Sequence, residues 1–139
     1  YTTLFRSRSL SSEMIASSIE TNAANVRKIM SQLKKSGLIF TKTGKPQPSL
    51  AKSPDQISLL DVYRSIEGNT QLIQVDPKTN PNCVVGANIQ EALEESYARL
   101  QKKAEEEMAK ITLDSLIHKI AVLEKEKRPE NTGLVERFL

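Results

Sequence analysis

Apolar positions along this chain keep helical spacing over most of its length and break it in two places. Met14, Ile15 and Ile19 give a first apolar side, opened by Ser11 as a cap with Glu13 in the first turn. Glu20, Thr21 and Asn22 make a turn, and Asn22 or Thr21 can cap the next helix. Val26, Ile29, Met30 and Leu33 then fall at i, i+3, i+4 and i+7 of one stripe, which Gly37 stops. Two helices joined by a tight turn predict a helix-turn-helix. The first break comes at Leu38–Thr43, rich in β-branched and apolar residues. Turn material at Gly44–Pro48 comes next, with a short return strand at Ser49–Ala51. A hairpin in that place is the wing of a winged helix.

The helical rhythm resumes at Ser58, with Asp61 three residues later in a capping-box position. It buries Leu59, Leu60, Val62, Tyr63 and Ile66 and ends at Gly68. The second break, Asn69–Gly86, contains Pro77 and Pro81 and has room for a short extended piece near Leu72–Val75. A long helix is expected from Ala87 to Lys110. Its narrow seam of Ile89, Leu93, Tyr97, Leu100, Ala104, Met108 and Ile111 is flanked by charges, as in a coiled coil. At about 1.5 Å per residue it would run about 36 Å, more than the preceding residues can readily cover. The seam is therefore expected to pair with a second copy. Thr112 caps a last helix, with Leu113, Leu116, Ile117, Ile120 and Leu123 expected inward and Pro129 at its end.

These elements predict a mainly α chain with a small β-hairpin wing: a winged helix-turn-helix plus a long C-terminal dimerisation helix. The expected divisions are 8–68 for the DNA-binding unit, 69–86 for a loop, 87–126 for the dimerisation helices and 127–139 for a mobile tail. Tyr1–Ser7 (YTTLFRS) reads as a translated sequencing adapter and is set aside, so natural sequence is expected to start near Arg8.

Charge sharpens the picture. Thr21–Pro54 carries seven basic residues and no carboxylate, whereas Asp55–Leu139 carries 11 basic and 15 acidic ones. A segregated basic block attracts phosphate backbones. On a helical wheel, Ala24, Lys28, Ser31 and Lys35 lie opposite the apolar stripe, with Arg27 on the flank. A recognition helix enters the major groove with its first turns near base edges. Asn22, Ala24, Arg27 and Lys28 are thus the candidate base readers. Arg27 and Lys28 can donate to guanine, and Ala24 permits close approach. Ser31, Lys34, Lys35, Lys42, Gly44 and Lys45 are candidates for the phosphate backbone and the wing. No apolar run approaches the ~18 residues of a membrane span, and a lone cysteine fits a reducing cytoplasm, the expected location.

The stretches LSSEMIASSIETNAANVRKIMSQLKKSGLI, ISLLDVYRSIEG and ITLDSL, in that order and spacing, resemble the Rrf-two family of bacterial winged-helix transcriptional regulators. The resemblance covers most of Arg8 to about Leu123. It implies a homodimer joined through the long helix on a near-palindromic operator, and a repressor's role. It also implies that Asn22, Ala24, Arg27 and Lys28 hold base-reading positions and Lys42–Lys45 the wing. Two departures stand out. KPQPS replaces the glycine-rich family wing after Gly44, and the family's first helix, which packs under the helix-turn-helix, is expected to be missing ahead of Ser11.

Cluster-binding members place three cysteines near Cys83, and this chain has one cysteine and one histidine. A single thiolate does not hold an iron–sulfur cluster, so no cofactor or metal is expected. Cys83 in NPNCVVG is a candidate redox thiol; an inert thiol is the favoured reading, because no basic residue adjoins it to lower its pKa. The rival functions are a protein-interaction winged helix docking an acidic partner, and a thiol-based redox regulator. An enzyme is not expected, because no phosphate loop or catalytic constellation surrounds the lone His118.

Overall fold

A computed structural model describes residues 11–43 and 48–139. Helix α1 (Ser12–Ser18) starts where the Ser11 hydroxyl accepts from the Met14 amide, and Glu13 lies in its first turn. The turn after it places Glu20 at φ 53, in the left-handed region, and the Thr21 amide returns to the Ala16 carbonyl at 2.9 Å. Helix α2 (Ala23–Lys35) is capped by Asn22, whose side-chain oxygen accepts from the Asn25 amide at 2.8 Å. Beyond it Gly37 takes φ 72, a conformation that suits a residue without Cβ. The reversal turns the chain into the wing. Strands β1 (Ile39–Thr41) and β2 (Pro48–Leu50) pair antiparallel, with Ile39 opposite Leu50 and Thr41 opposite Pro48.

A 3-10 turn at Pro54–Gln56 leads to Ile57, which is 2% exposed. Helix α3 (Leu59–Glu67) opens with a full capping box: the Ser58 hydroxyl accepts from the Asp61 amide while the Asp61 carboxylate accepts from the Ser58 amide. Those hydrogen bonds, led by the Ser58 backbone amide, hold the Asp61 carboxyl below its ordinary value. Residues 69–82 are irregular, with no strand near Leu72–Val75. Helix α4 (Val84–Lys110) is 27 residues long, and α5 (Leu113–Lys127) comes next, capped by Thr112.

Helix α4 begins three residues before the expected Ala87. Val84 and Val85 sit in its first turn although they are β-branched, because a helix start has no preceding turn to crowd them. At the other end the backbone makes a clasp. The Leu59 amide donates to the Ile111 carbonyl at 2.7 Å, and the Leu113 amide donates to the Ile57 carbonyl at 2.8 Å. The start of α3 and the α4–α5 junction are thereby joined.

Three placements differ from the sequence expectation. Residues 127–139, set apart as a tail, form short turns at Pro129–Asn131, Thr132–Val135 (α6) and Glu136–Phe138 that fold back on α5. Glu124 on α5 accepts from both Arg128 and Asn131, and His118 Nδ1 lies 2.9 Å from the Phe138 carbonyl. Leu116, Ile120 and Leu123, expected inward, are exposed. The neighbouring face, with Leu113 and Ile117 half-buried and Ala121 buried, is the more covered one. Ile19, at the end of α1, and Ile29, on α2, are exposed as well.

Among the described residues the buried apolar set is small: Ala16, Val26, Leu38, Ile57 and Ala121. The accessible surface is 10818 Å². A compact monomer of this mass would expose about 7,200 Å². The chain is an open frame of helices with apolar faces left uncovered.

Candidate nucleic-acid interface

Helix α2 is held from below so that one face stays in solvent. Val26 packs inward, 4% exposed, and the Gln32 side-chain amide donates to the Ile66 carbonyl at the end of α3 at 3.0 Å. With those two anchors set, Ala24, Arg27, Lys28, Ser31, Lys34 and Lys35 all come out exposed. They form one continuous face, since each is one to four positions from the last. The first turn of α2 contains no acidic residue, so the positive end of its dipole is left uncompensated. Among the described residues, no carboxylate forms an ion pair with Lys28, Lys34 or Lys35. This is an uncommitted cationic surface of a helix's width.

Two of the expected base readers are partly engaged. Asn22 spends its side-chain oxygen on the cap, which leaves its amide group free to donate. Arg27 is ion-paired with Glu13 at 3.1 Å, with both side chains more than half exposed. Sequence reasoning missed Glu13 as part of this face. The available signal was that the first turns of two consecutive helices abut in a helix-turn-helix, which brings Glu13 and Arg27 together across the turn. Gln32 was missed for a similar reason, because its partner is a backbone carbonyl far along the chain.

On the wing, Lys42 is exposed, with its ammonium 5.8 Å from the Phe40 ring centroid. That is within reach of a cation–π contact that would steady it. Gly44 and Lys45, also expected at the wing, lie outside the described residues.

The expected dimer seam divides its attention. Tyr97 faces the chain's own loop near Thr70–Val75, and Ile111 joins the backbone clasp. Ile89, Leu93, Ala104 and Met108 are half-buried, and Leu100 is 51% exposed. Gln101, overlooked because a glutamine inside a helix reads as surface, is only 6% exposed. It accepts from the Leu72 amide at 2.9 Å and donates to the Tyr63 hydroxyl at 3.3 Å.

Cys83 is exposed at the N-cap of α4. No basic side chain was needed to acidify it. The backbone amide of Gly86, and then that of Val85, hold its thiol below the ordinary value. Among the described residues no group of three or more His, Cys, Asp and Glu could hold a metal ion. None of their helices is long and apolar enough to cross a membrane.

A capped helix pair, a hairpin wing and a carboxylate-free helix face define a winged helix-turn-helix transcriptional regulator. Comparison with known proteins gives the family. Residues 2–119 match the Rrf2 model, described as an iron-dependent transcriptional regulator, and the chain belongs to the Rrf2 family. It is 41% identical over 108 residues to YwnA of Bacillus subtilis (strain 168), which carries an HTH-type transcriptional-regulator name, covering 78% of this chain and 81% of that one. A crystal structure described as that of a DNA-binding protein is 37% identical, with a TM-score of 0.62, covering 84% of this chain and 90% of its own. CymR, the global cysteine regulator of B. subtilis, has a TM-score of 0.55 at 23% identity, covering 77% of this chain and 76% of its own, and shares the fold.

The family's description implies iron, and the donor set does not fit a thiolate-held cluster. The whole sequence contains one cysteine and one histidine. Cys83 caps α4, while His118 on α5 faces the Phe138 carbonyl. One chain therefore supplies one thiolate, where a cluster is held by about four ligands.

Proposed function

We propose that this regulator is a homodimeric repressor that reads a near-palindromic DNA operator with α2. The observation that carries the reading is the exposed, carboxylate-free face from Ala24 to Lys35. Asn22, Ala24, Arg27 and Lys28 belong to the first turns, the part of a recognition helix that meets base edges. Arg27 and Lys28 donate to guanine O6 and N7, and the Asn22 amide donates to an acceptor on a neighbouring base. Ser31, Lys34 and Lys35 further along the helix, with Lys42, Gly44 and Lys45 on the wing, grip phosphates and set the register. Bound across a promoter in the bacterial cytoplasm, such a dimer blocks transcription by occupancy.

The dimer reading is supported by surface. The chain exposes 10818 Å², an excess of about 3,600 Å² over a compact monomer of its mass. Obligate dimer interfaces bury about 2,000–5,000 Å² in total, about 1,000–2,500 Å² from each partner, which this excess can supply. Ile89, Leu93, Leu100, Ala104 and Met108 on α4 supply the paired faces, and two-fold pairing would set two α2 helices about one DNA turn apart, ~34 Å.

Binding selection from a random duplex pool tests both halves. The expected product is a two-fold symmetric site that blurs in Arg27→Ala, whereas Lys35→Ala weakens all duplexes alike. Equal loss on every duplex from both variants would overturn the division of roles. Leu100→Glu should convert a sedimenting dimer to monomer, and a dimer that survives it would overturn the α4 pairing.

A further inference from the structure

The irregular segment after α3 is tied to α4 where the Leu72 amide donates to Gln101 and where Gln90 donates to the Asp76 carbonyl, and two clefts adjoin it. One lobe, of about 530 Å³, is lined by Ile73, Val75, Tyr97 and Ala98, with Glu94 at its wall. The other, of about 540 Å³, is lined by Tyr63, Arg64, Gln101 and Glu105. Thr70 and Gln71 line both, so the two clefts adjoin. Small-molecule sites commonly measure about 300–1,000 Å³ and combine apolar walls with a few convergent polar groups.

The polar lobe is built from both signs of charge. Arg64 and Glu105 stand 3.5 Å apart across it, a long contact for an ion pair, with Arg64 61% and Glu105 29% exposed. Gln101 forms the floor, already committed to the Leu72 amide and the Tyr63 hydroxyl, and Tyr63 in turn donates to the Thr70 carbonyl. A ligand that satisfies this lobe carries a carboxylate for Arg64 and an ammonium for Glu105. The neighbouring lobe then accepts an apolar group from the same molecule.

The geometry points to an effector site for a free α-amino acid with an apolar side chain, bound as its zwitterion between α3, α4 and the 69–75 loop. Its carboxylate pairs with Arg64 and its ammonium with Glu105, while its side chain lies among Ile73, Val75 and Tyr97. A route to the DNA face exists. Ile66, one turn beyond Tyr63 on α3, accepts from Gln32 of α2 at 3.0 Å. An occupant that shifts the last turn of α3 therefore shifts the recognition helix. This effector role rests on the DNA-binding reading above; the cleft itself does not.

The test is titration of the full chain, monitored through Ile73 methyl and Tyr63 ring resonances. The probes are L-leucine, L-isoleucine, L-valine, L-methionine and L-phenylalanine. Controls are 4-methylpentanoate, which lacks the ammonium, and isopentylamine, which lacks the carboxylate. The expected result is saturable binding of at least one amino acid, with its truncated analogues about tenfold weaker or worse. Arg64→Gln and Ile73→Glu should abolish it without lowering the melting temperature appreciably, since neither residue is buried, Arg64 being 61% and Ile73 40% exposed. No saturable shift with any of the five, or equal binding by a singly charged analogue, overturns the site. Duplex affinity measured with and without the bound amino acid decides the effector role. A change that vanishes in Arg64→Gln supports it, and binding with unchanged duplex affinity overturns it. A chain that takes the amino acid but no duplex overturns the DNA-binding reading and leaves the cleft assignment standing.

Discussion

The Glu13–Arg27 pair makes a prediction whose sign runs against the usual effect of mutation. With Arg27 in the base-reading role proposed above, Glu13 competes with DNA for that arginine. The pair spans 3.1 Å, with the two side chains 59% and 70% exposed. Contacts of that kind are worth about 0.2–1 kcal/mol. Replacing Glu13 by Gln removes that competition, so operator binding should tighten by about 1.5- to 5-fold. The same change costs the chain a little. Glu13 sits in the first turn of α1, where a carboxylate offsets the helix dipole by about 0.3–1 kcal/mol. The melting temperature should therefore fall slightly while affinity rises. Fluorescence anisotropy over a salt series, on an operator and a scrambled duplex, measures the binding. The gain should be largest at low salt, where a surface carboxylate is least screened. In an Arg27→Ala background most of the gain should disappear, because the freed partner is gone. Unchanged or weaker operator binding by Glu13→Gln, or the same gain without Arg27, would refute the competition.

Glu20→Gly should raise stability by about 0.5–1 kcal/mol in urea denaturation, since glycine takes the left-handed conformation found there without steric cost; loss of stability would show that the Glu20 side chain has another role. Asp61 has a folded-state pKa below its unfolded one. Its contribution is therefore complete above the unfolded carboxylate value of about 3.9 and is lost as pH falls through the lower folded value. Asp61→Asn should flatten that acid limb of the stability curve, and an unaltered limb would contradict the capping account. Cys83 should react with iodoacetamide along a pH profile displaced downward from that of the urea-unfolded chain, as its amide donors require; superimposable profiles would remove those donors from the account.

Much of the fold was legible because caps are local. Ser11, Asn22, Ser58 and Thr112 were each readable from a hydroxyl or amide residue set before an apolar stripe, and each accepts from the amide three residues on. The start of α4 was not legible, because its N-cap is Cys83, which is not one of the Ser, Thr, Asp or Asn residues that announce a helix start. Periodicity showed that Leu116, Ile120 and Leu123 share a face with other apolar residues, but it does not say which chain would cover them. The candidate DNA face could be drawn from charge and spacing alone. What escaped were interactions between elements: Glu13 with Arg27, Gln32 with Ile66, and Gln101 with Leu72 and Tyr63. None leaves a periodic trace, since each depends on how two elements dock.

The clasp between Ile57–Leu59 and Ile111–Leu113 bears on how the chain comes apart. Its two hydrogen bonds join segments separated by most of α3, the loop and all of α4. Closing so large a ring is an entropic barrier that folding must cross before the contact returns anything. Once closed, the ring denies the long helix a melting transition of its own, because α4 cannot detach from the winged half without opening both bonds. Heat or denaturant should therefore meet one cooperative unit rather than two. The Leu59 and Leu113 amides should exchange with solvent deuterium only on global opening, among the slowest in the molecule.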